Sequence, residues 1–236
     1  PFDFAQGRLV EGYSSSEAVG RVEKKRMNMK KRTAKIARKT KETNIAVSLA
    51  IDGKGEADIK TGIGFLDHML TLFAKHGFFD LNISAKGDLD VDIHHTNEDV
   101  GITLGSAFKK ALGDKKGITR FGDSFVPMDG CLVRVVADIS NRPSLHVHYK
   151  TKRDIENLLA NLAIGDSVKY SFVNLEQFSQ AFVMNAGINM HIEILAFDKD
   201  LHHLIEAIFK AMGRSLDEAT QIDKRAKGVP STKGRL

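Results

Sequence analysis

The chain has 236 residues, 42% of them of hydrophobic type, enough to bury a substantial core in one large domain or two small ones. It has no apolar run of about 18 residues or more, no apolar leader segment and only one cysteine, Cys131, which argues against a transmembrane helix, a signal peptide and an intrachain disulfide and points to the reducing cytoplasm. The net charge of +5 is lopsided: residues 1–41 hold 12 of the 35 Lys/Arg and only four acids, so the remainder is mildly acidic.

Residues 1–32 therefore read as a basic tail, disordered or a non-native extension, with Met27 or Met29 as the natural start of a chain that here opens at Pro1. A basic tail also raises nucleic-acid contact as a rival, but no aromatic platform accompanies it. Regular patterning starts near Thr43, where Ile45, Val47, Leu49 and Ile51 alternate as in a half-buried strand. Asp52-Gly53 reads as a hairpin turn into a strand near 55–61. Phe65, Met69, Leu72 and Phe73 have helical spacing over 65–75, and 79–85 alternates again. A helix over 95–112 follows, ended by Gly113 and Gly117. The second half repeats the order, with strands at 121–127, 131–139 and 145–149, a helix at 174–186, a strand at 188–196 and a helix at 201–219. The fold class is α+β: two repeated β/α units, 33–117 and 118–223, with helices packed on one face of each sheet. Segment 150–173 reads as an insertion in the second unit, and residues 224–236 as a C-terminal substrate-binding tail.

The motif that carries chemistry occurs twice, as His94-His95-Thr96-Asn97-Glu98 and His202-His203-Leu204-Ile205-Glu206. On a helix, positions i and i+4 share a face, so His94 pairs with Glu98 and His202 with Glu206 toward one cation each. Adjacent positions diverge by about 100°, so His95 and His203 must serve a different ion from their neighbours. Mixed imidazole and carboxylate donors suit Mn²⁺, Fe²⁺ or Zn²⁺ better than Ca²⁺ or Mg²⁺. The repeat extends upstream: His68, in Leu66-Asp67-His68-Met69, lies 26 residues before His94, and Gln177, in Leu175-Glu176-Gln177-Phe178, lies 25 before His202. Gln177 is thus a neutral oxygen donor at the place corresponding to His68. A second constellation suits an anion: Arg120, Arg142, Lys210 and the closing Pro230-Ser231-Thr232-Lys233-Gly234 combine cations with hydroxyls.

Together these motifs resemble imidazoleglycerol-phosphate dehydratase. The match runs from about Arg38 to Gly234, and also includes Glu42-Thr43, Gly64-Phe65, Ile118-Thr119-Arg120-Phe121-Gly122 and Ser140-x-Arg142-Pro143. The resemblance implies a duplicated unit similar to the ribosomal S5 domain 2-like fold, and a homo-oligomer, a 24-chain shell with active sites shared between chains. It implies two Mn²⁺ per active site. One would be held by His68, His95, His202 and Glu206, the other by His94, Glu98, His203 and a histidine at the place of Gln177. It also implies substrate contacts by Glu42 and His76, and phosphate contacts by Arg120, Arg142, Lys210, Ser231, Thr232 and Lys233, with Thr232 standing where the family usually has Ser. Gln177, a longer 150–173 and one extra residue between His191 and His202 depart from the family pattern.

The implied reaction dehydrates imidazole glycerol phosphate to imidazole acetol phosphate in histidine biosynthesis. His95, His203 and Glu42 are the candidate catalytic groups, with proton transfer assigned to Glu42 or to a bound water. The alternatives are a catalytically weakened metal-binding paralogue, favoured by Gln177, and a two-metal hydrolase, disfavoured by so histidine-rich a donor set.

Overall fold

The computed structural model describes residues 2–3, 8–9, 31–149, 163–165 and 169–236. It divides into two units, residues 1–31 and 32–236. In the first, Phe2–Asp3 and Arg8–Leu9 pair antiparallel; residues 1, 4–7 and 10–30 of the expected 1–32 tail lie outside the described residues, as does most of the expected insertion at 150–173.

The second unit runs β1 (Thr33–Lys39), β2 (Asn44–Ala50), β3 (Ala57–Lys60), α1 (Gly64–His76), β4 (Asp80–Lys86) and α2 (His94–Leu112). It then repeats the series as β5 (Phe121–Met128), β6 (Cys131–Asp138), β7 (Ser144–Tyr149), α3 (Phe172–Ala186), β8 (Asn189–Ala196) and α4 (Leu201–Thr220). The fold is a mixed α+β arrangement of two four-stranded sheets with the same topology, β1-β2-β4-β3 and β5-β6-β8-β7. In each sheet only the last pair is parallel, β3 with β4 and β7 with β8. A helix separates the two strands of each parallel pair, as a parallel connection requires.

Two sequence expectations are corrected here. β1 is a full strand where patterning was expected to begin only near Thr43; it is an edge strand rich in Lys and Arg, which disguises it as tail. Asp52-Gly53 does not close a hairpin, because β2 pairs with β4 and not with β3. The Asp80 carboxylate instead accepts the backbone N–H groups of Lys54 (2.6 Å) and Glu56 (3.2 Å), which steers the loop past the end of β4.

The helices pack between halves. α2 lies on β1 and β2 and α4 on β5 and β6, while α1 packs against α4 and α3 against α2. Glycines set both helix–helix approaches. A Cβ on Gly105 of α2 would stand 2.4 Å from the Phe182 carbonyl oxygen of α3, and one on Gly213 of α4 would stand 2.6 Å from the Phe73 carbonyl oxygen of α1. Without side chains at these points the backbones meet, and Phe73, Phe108, Phe182 and Phe209 fill the core beside them. This crossed pairing brings α1 of the first half to the motif helix of the second, and the reverse. Among the described residues, no helix is long and apolar enough to cross a membrane.

Candidate metal centre

Each motif begins a helix, so its histidines occupy the first turn, where a helix exposes its ends. Asp92 Oδ1 accepts the His94 N–H at 2.7 Å at the start of α2, and Asp200 Oδ1 caps α4 by accepting the His203 N–H at 3.2 Å. α1 is anchored by Asp67, which accepts the Thr61 backbone N–H at 2.8 Å together with the Thr61 hydroxyl. That anchor fixes the turn carrying His68.

The α1–α4 contact builds the tightest cluster. Donor atoms of His68, His202 and Glu206 all lie within 4.8 Å of one another. His202 Nε2 stands 3.3 Å from a Glu206 carboxylate oxygen and His68 Nε2 stands 3.7 Å from it. Lys210 grips the other Glu206 oxygen at 2.6 Å. Burial works to raise the Glu206 pKa, but the Lys210 ammonium, with His68 and His202, outweighs it and holds the carboxyl below its ordinary value. His76 lies close by: burial, and then Lys210 and Arg214, press its pKa down.

The α2–α3 contact makes a looser counterpart. His94 Nε2 is 3.7 Å from Glu98. Gln177 of α3 lines one hollow with His94 and another with Glu98. Its amide oxygen is buried with no hydrogen-bond partner among the described residues, a costly state that a bound cation would relieve. One residue earlier, Glu176 lines the hollow that holds Glu98 and receives the Tyr149 hydroxyl at 3.4 Å. Sequence reasoning passed over it, although Glu176 stands 26 residues before His202, the interval that separates His68 from His94. Asn97, also unassigned, ties the motif to α3: its amide donates to the Asn174 carbonyl (2.8 Å) and its oxygen accepts from Tyr170 (3.1 Å).

The second histidine of each pair turns away from the first. The rings of His94 and His95 are 5.7 Å apart and inclined at 70°; those of His202 and His203 are 6.2 Å apart at 77°. Each meets a carboxylate through Nδ1: His95 at 2.9 Å from Asp88, and His203 at 3.5 Å from both Asp129 and Asp200. The hydrogen bond His95 donates to Asp88 raises the His95 pKa, to which nearby Glu42 also contributes. For His95 the carboxylate on Nδ1 orients the ring and leaves Nε2 as the free donor. His203 Nδ1 is buried with no hydrogen-bond partner among the described residues and meets its two carboxylates only through charge. The structure thus joins three of the four ligands expected for one cation, His68, His202 and Glu206, and places His95 elsewhere. Of the other set it joins His94 and Glu98 with Gln177, and His203 stands apart.

The anion candidates divide. Arg120, Arg142, Ser231, Thr232 and Lys233 line one hollow of about 470 Å³. Arg120 holds a left-handed backbone (φ 76) and spends its guanidinium on Asp138 (2.7 and 3.1 Å) and on the Pro230 carbonyl (2.9 Å). It therefore fastens the C-terminal tail in place, and the strained backbone persists because these contacts hold it. Arg142 and Lys233 form no ion pair among the described residues. Lys210 is not in this hollow; it belongs to the Glu206 cluster.

The family profile described as Imidazoleglycerol-phosphate dehydratase matches residues 61–216. The chain belongs to the imidazoleglycerol-phosphate dehydratase family. It is 56% identical over 205 residues to the imidazoleglycerol-phosphate dehydratase of Thermoanaerobacter pseudethanolicus, covering 87% of this chain and 100% of the relative. It is 53% identical over 208 residues to that of Bacillus pumilus, with the same 87% and 100% covered. Among solved structures, the Pyrococcus furiosus dehydratase superposes with a TM-score of 0.69 at 36% identity, covering 85% of this chain and 100% of that one. The Staphylococcus aureus dehydratase gives 0.67 at 35%, covering 81% and 99%. The dehydratases are hydro-lyases of histidine biosynthesis, acting on a phosphorylated imidazole.

Proposed function

We propose that this chain dehydrates imidazole glycerol phosphate to imidazole acetol phosphate at a centre of two divalent cations, manganese by preference, in a cytoplasmic homo-oligomer. The observation that carries the reading is the convergence of His68, His202 and Glu206 from two halves of the chain, echoed by His94 and Glu98 in the other pair of helices. Bound there, the cations supply Lewis acidity to the imidazole ring of the substrate.

The protein's own groups do the rest. Lys210 keeps Glu206 ionised and fixed as a donor. His95, oriented through Nδ1 by Asp88, and His203 would hold a cation whose other ligands come from a neighbouring copy, the arrangement expected for shared centres in a 24-chain shell. Glu42 sits on an exposed turn held by its backbone N–H to the Thr40 hydroxyl at 3.1 Å, close enough to His95 to influence its charge. It moves a proton at the substrate carbon beside the ring. Arg142 and Lys233, with the hydroxyls of Ser231 and Thr232, clamp the phosphate, while Arg120 holds the tail that presents them. This remote clamp fixes the reacting end.

Gln177 favours a second reading, a family member with one weakened cation site. Elemental analysis of the purified protein, paired with a dehydration assay with and without manganese after chelation, separates the two. Two cations per chain with restored turnover support the enzyme. Bound metal without turnover supports the weakened paralogue, and full turnover by stripped protein defeats both.

A further inference from the structure

Three histidines outside the motif helices lie side by side on the second sheet. His146 and His148 are alternate residues of β7, so they project from the same face. His191 of β8 stands directly beside His146 in the parallel register, with His148 next along. The opposite face of β8 is the buried one, carrying Met190, Ile192 and Ile194, while His146 and His148 are exposed and His191 is half-buried. Ring centroids are 4.6 Å apart for His146 and His191, 5.2 Å for His148 and His191, and 6.2 Å for His146 and His148. His148 Nε2 and His191 Nδ1 already meet at 2.9 Å in a hydrogen bond. The cluster serves no step of the dehydration argued above.

We propose that His146, His148 and His191 form a three-imidazole site for a zinc-class divalent cation, with its fourth position open to water. Two residues at i and i+2 on one strand and a third on the adjacent strand put three imidazoles on one side of the sheet. The nitrogens of His148 and His191 already meet, while donor atoms of all three do not yet lie within 4.8 Å of one another, so the His146 ring must turn to complete the set that a tetrahedral ion with an open vertex requires. Two nitrogens at 2.9 Å are near the separation of about 3.3 Å that Zn–N bonds of about 2.0–2.1 Å impose. Replacing that hydrogen bond by a cation turns both rings, so that nitrogens now facing each other face the ion instead. His146, being exposed, turns to bring its nitrogen in at low cost.

The donor set selects the ion. Glu193 lies on the same face, paired in register with His148, but its carboxylate is held by Arg134 at 2.7 Å. An all-imidazole site favours Zn²⁺, Ni²⁺ and Cu²⁺ and discriminates against Mn²⁺ and Mg²⁺. The site would clip edge strand β7 to β8.

The test uses the full chain loaded with excess Mn²⁺, so that the carboxylate-bearing sites are filled, then titrated with Zn²⁺ and counted by elemental analysis after gel filtration. Wild type is expected to retain one more Zn²⁺ per chain than His146→Ala/His148→Ala or His191→Gln. A Co²⁺ titration read in the visible should give tetrahedral bands that both variants lose. The double variant changes only exposed side chains, and its manganese-supported turnover should match wild type. Glu206→Gln should lower the manganese count and keep the extra zinc, which makes the two centres separable. Equal zinc counts in wild type and in both histidine variants would overturn the proposal.

Discussion

Replacing Glu206 by Gln separates a structural role from a metal-binding one. The Glu206 side chain is only 11% exposed and its partner Lys210 17%, at 2.6 Å. Breaking a fully buried ion pair costs about 3–5 kcal/mol, and the residual exposure of both groups reduces this to about 2 kcal/mol here. For a chain of this size that lowers the melting temperature of metal-free protein by about 4–8 °C. In wild type, Mn²⁺ at about 100 times its Kd adds about 2.7 kcal/mol, or about 5–11 °C. Loss of a carboxylate ligand should weaken binding at least about 100-fold, as the upper range for outer-shell partners already reaches that. At the same Mn²⁺ concentration the gain then shrinks to about 0.4 kcal/mol, about 1 °C. Calorimetric melts of chelator-stripped and Mn²⁺-loaded samples read both effects. A variant that melts lower but keeps the full Mn²⁺-induced rise would show Glu206 to be a partner of Lys210 and not a ligand, and the proposed centre would lose its best-formed part.

Three further outcomes follow from the same geometry. In metal-free protein, His95 should titrate above the ordinary histidine value by NMR and return toward it in Asp88→Asn. Because its folded pKa is raised, the stabilisation from this pair is complete below about pH 6.5 and disappears as pH rises through the folded value. On α3, Glu176→Ala should reduce the manganese count of the His94–Glu98 cluster more than Gln177→Ala does, since a carboxylate is the better donor, while Gln177→His should raise its affinity; titration calorimetry ranks them, and an unchanged affinity in Glu176→Ala would remove that residue from the centre. Gly105→Ala and Gly213→Ala, which drive a Cβ to 2.4 and 2.6 Å from a facing carbonyl oxygen, should each cost about 1–3 kcal/mol in denaturant unfolding.

The duplicated architecture was legible because hydrophobic periodicity reports which face of an element is buried. Val100, Leu104 and Phe108 mark the inner face of α2 as Ile205, Ile208 and Met212 mark that of α4, and all are buried. Strand pairing was not legible in this way. The alternation in β3 is the same whether it pairs with β2 or β4, and what favours β4 comes from far along the chain, such as the Asp80 hold on the loop before β3, 24 or more residues away. β1 was hidden because charges suit an exposed edge as well as they suit a tail. At the centre, the i,i+4 pairs were readable from local helix geometry, but the approach of His68 to α4 depends on two helices distant in sequence. Counting to Gln177 alone missed Glu176, although the 26-residue interval was there to be matched.

The crossed helix pairing explains why each half has half of each cluster. Gly105 meets the Phe182 backbone as Gly213 meets that of Phe73, so α3 relates to α2 as α1 relates to α4. A duplicated unit packed in this way must set its two clusters at equivalent ends of the helix layer, one formed by α1 with α4 and the other by α2 with α3. Within the repeat, the first histidine and the glutamate of each motif face the partner helix, and the second histidine, a helical step of about 100° further on, cannot. It faces a loop carboxylate instead: Asp88 for His95, Asp129 and Asp200 for His203. On the proposed function, these two imidazoles, standing apart from the clusters of their own helix pairs, serve cations whose other ligands another copy presents. Under that proposal self-association and metal binding are one equilibrium, and chelation should loosen the assembly, as read by gel filtration, as well as stop the chemistry.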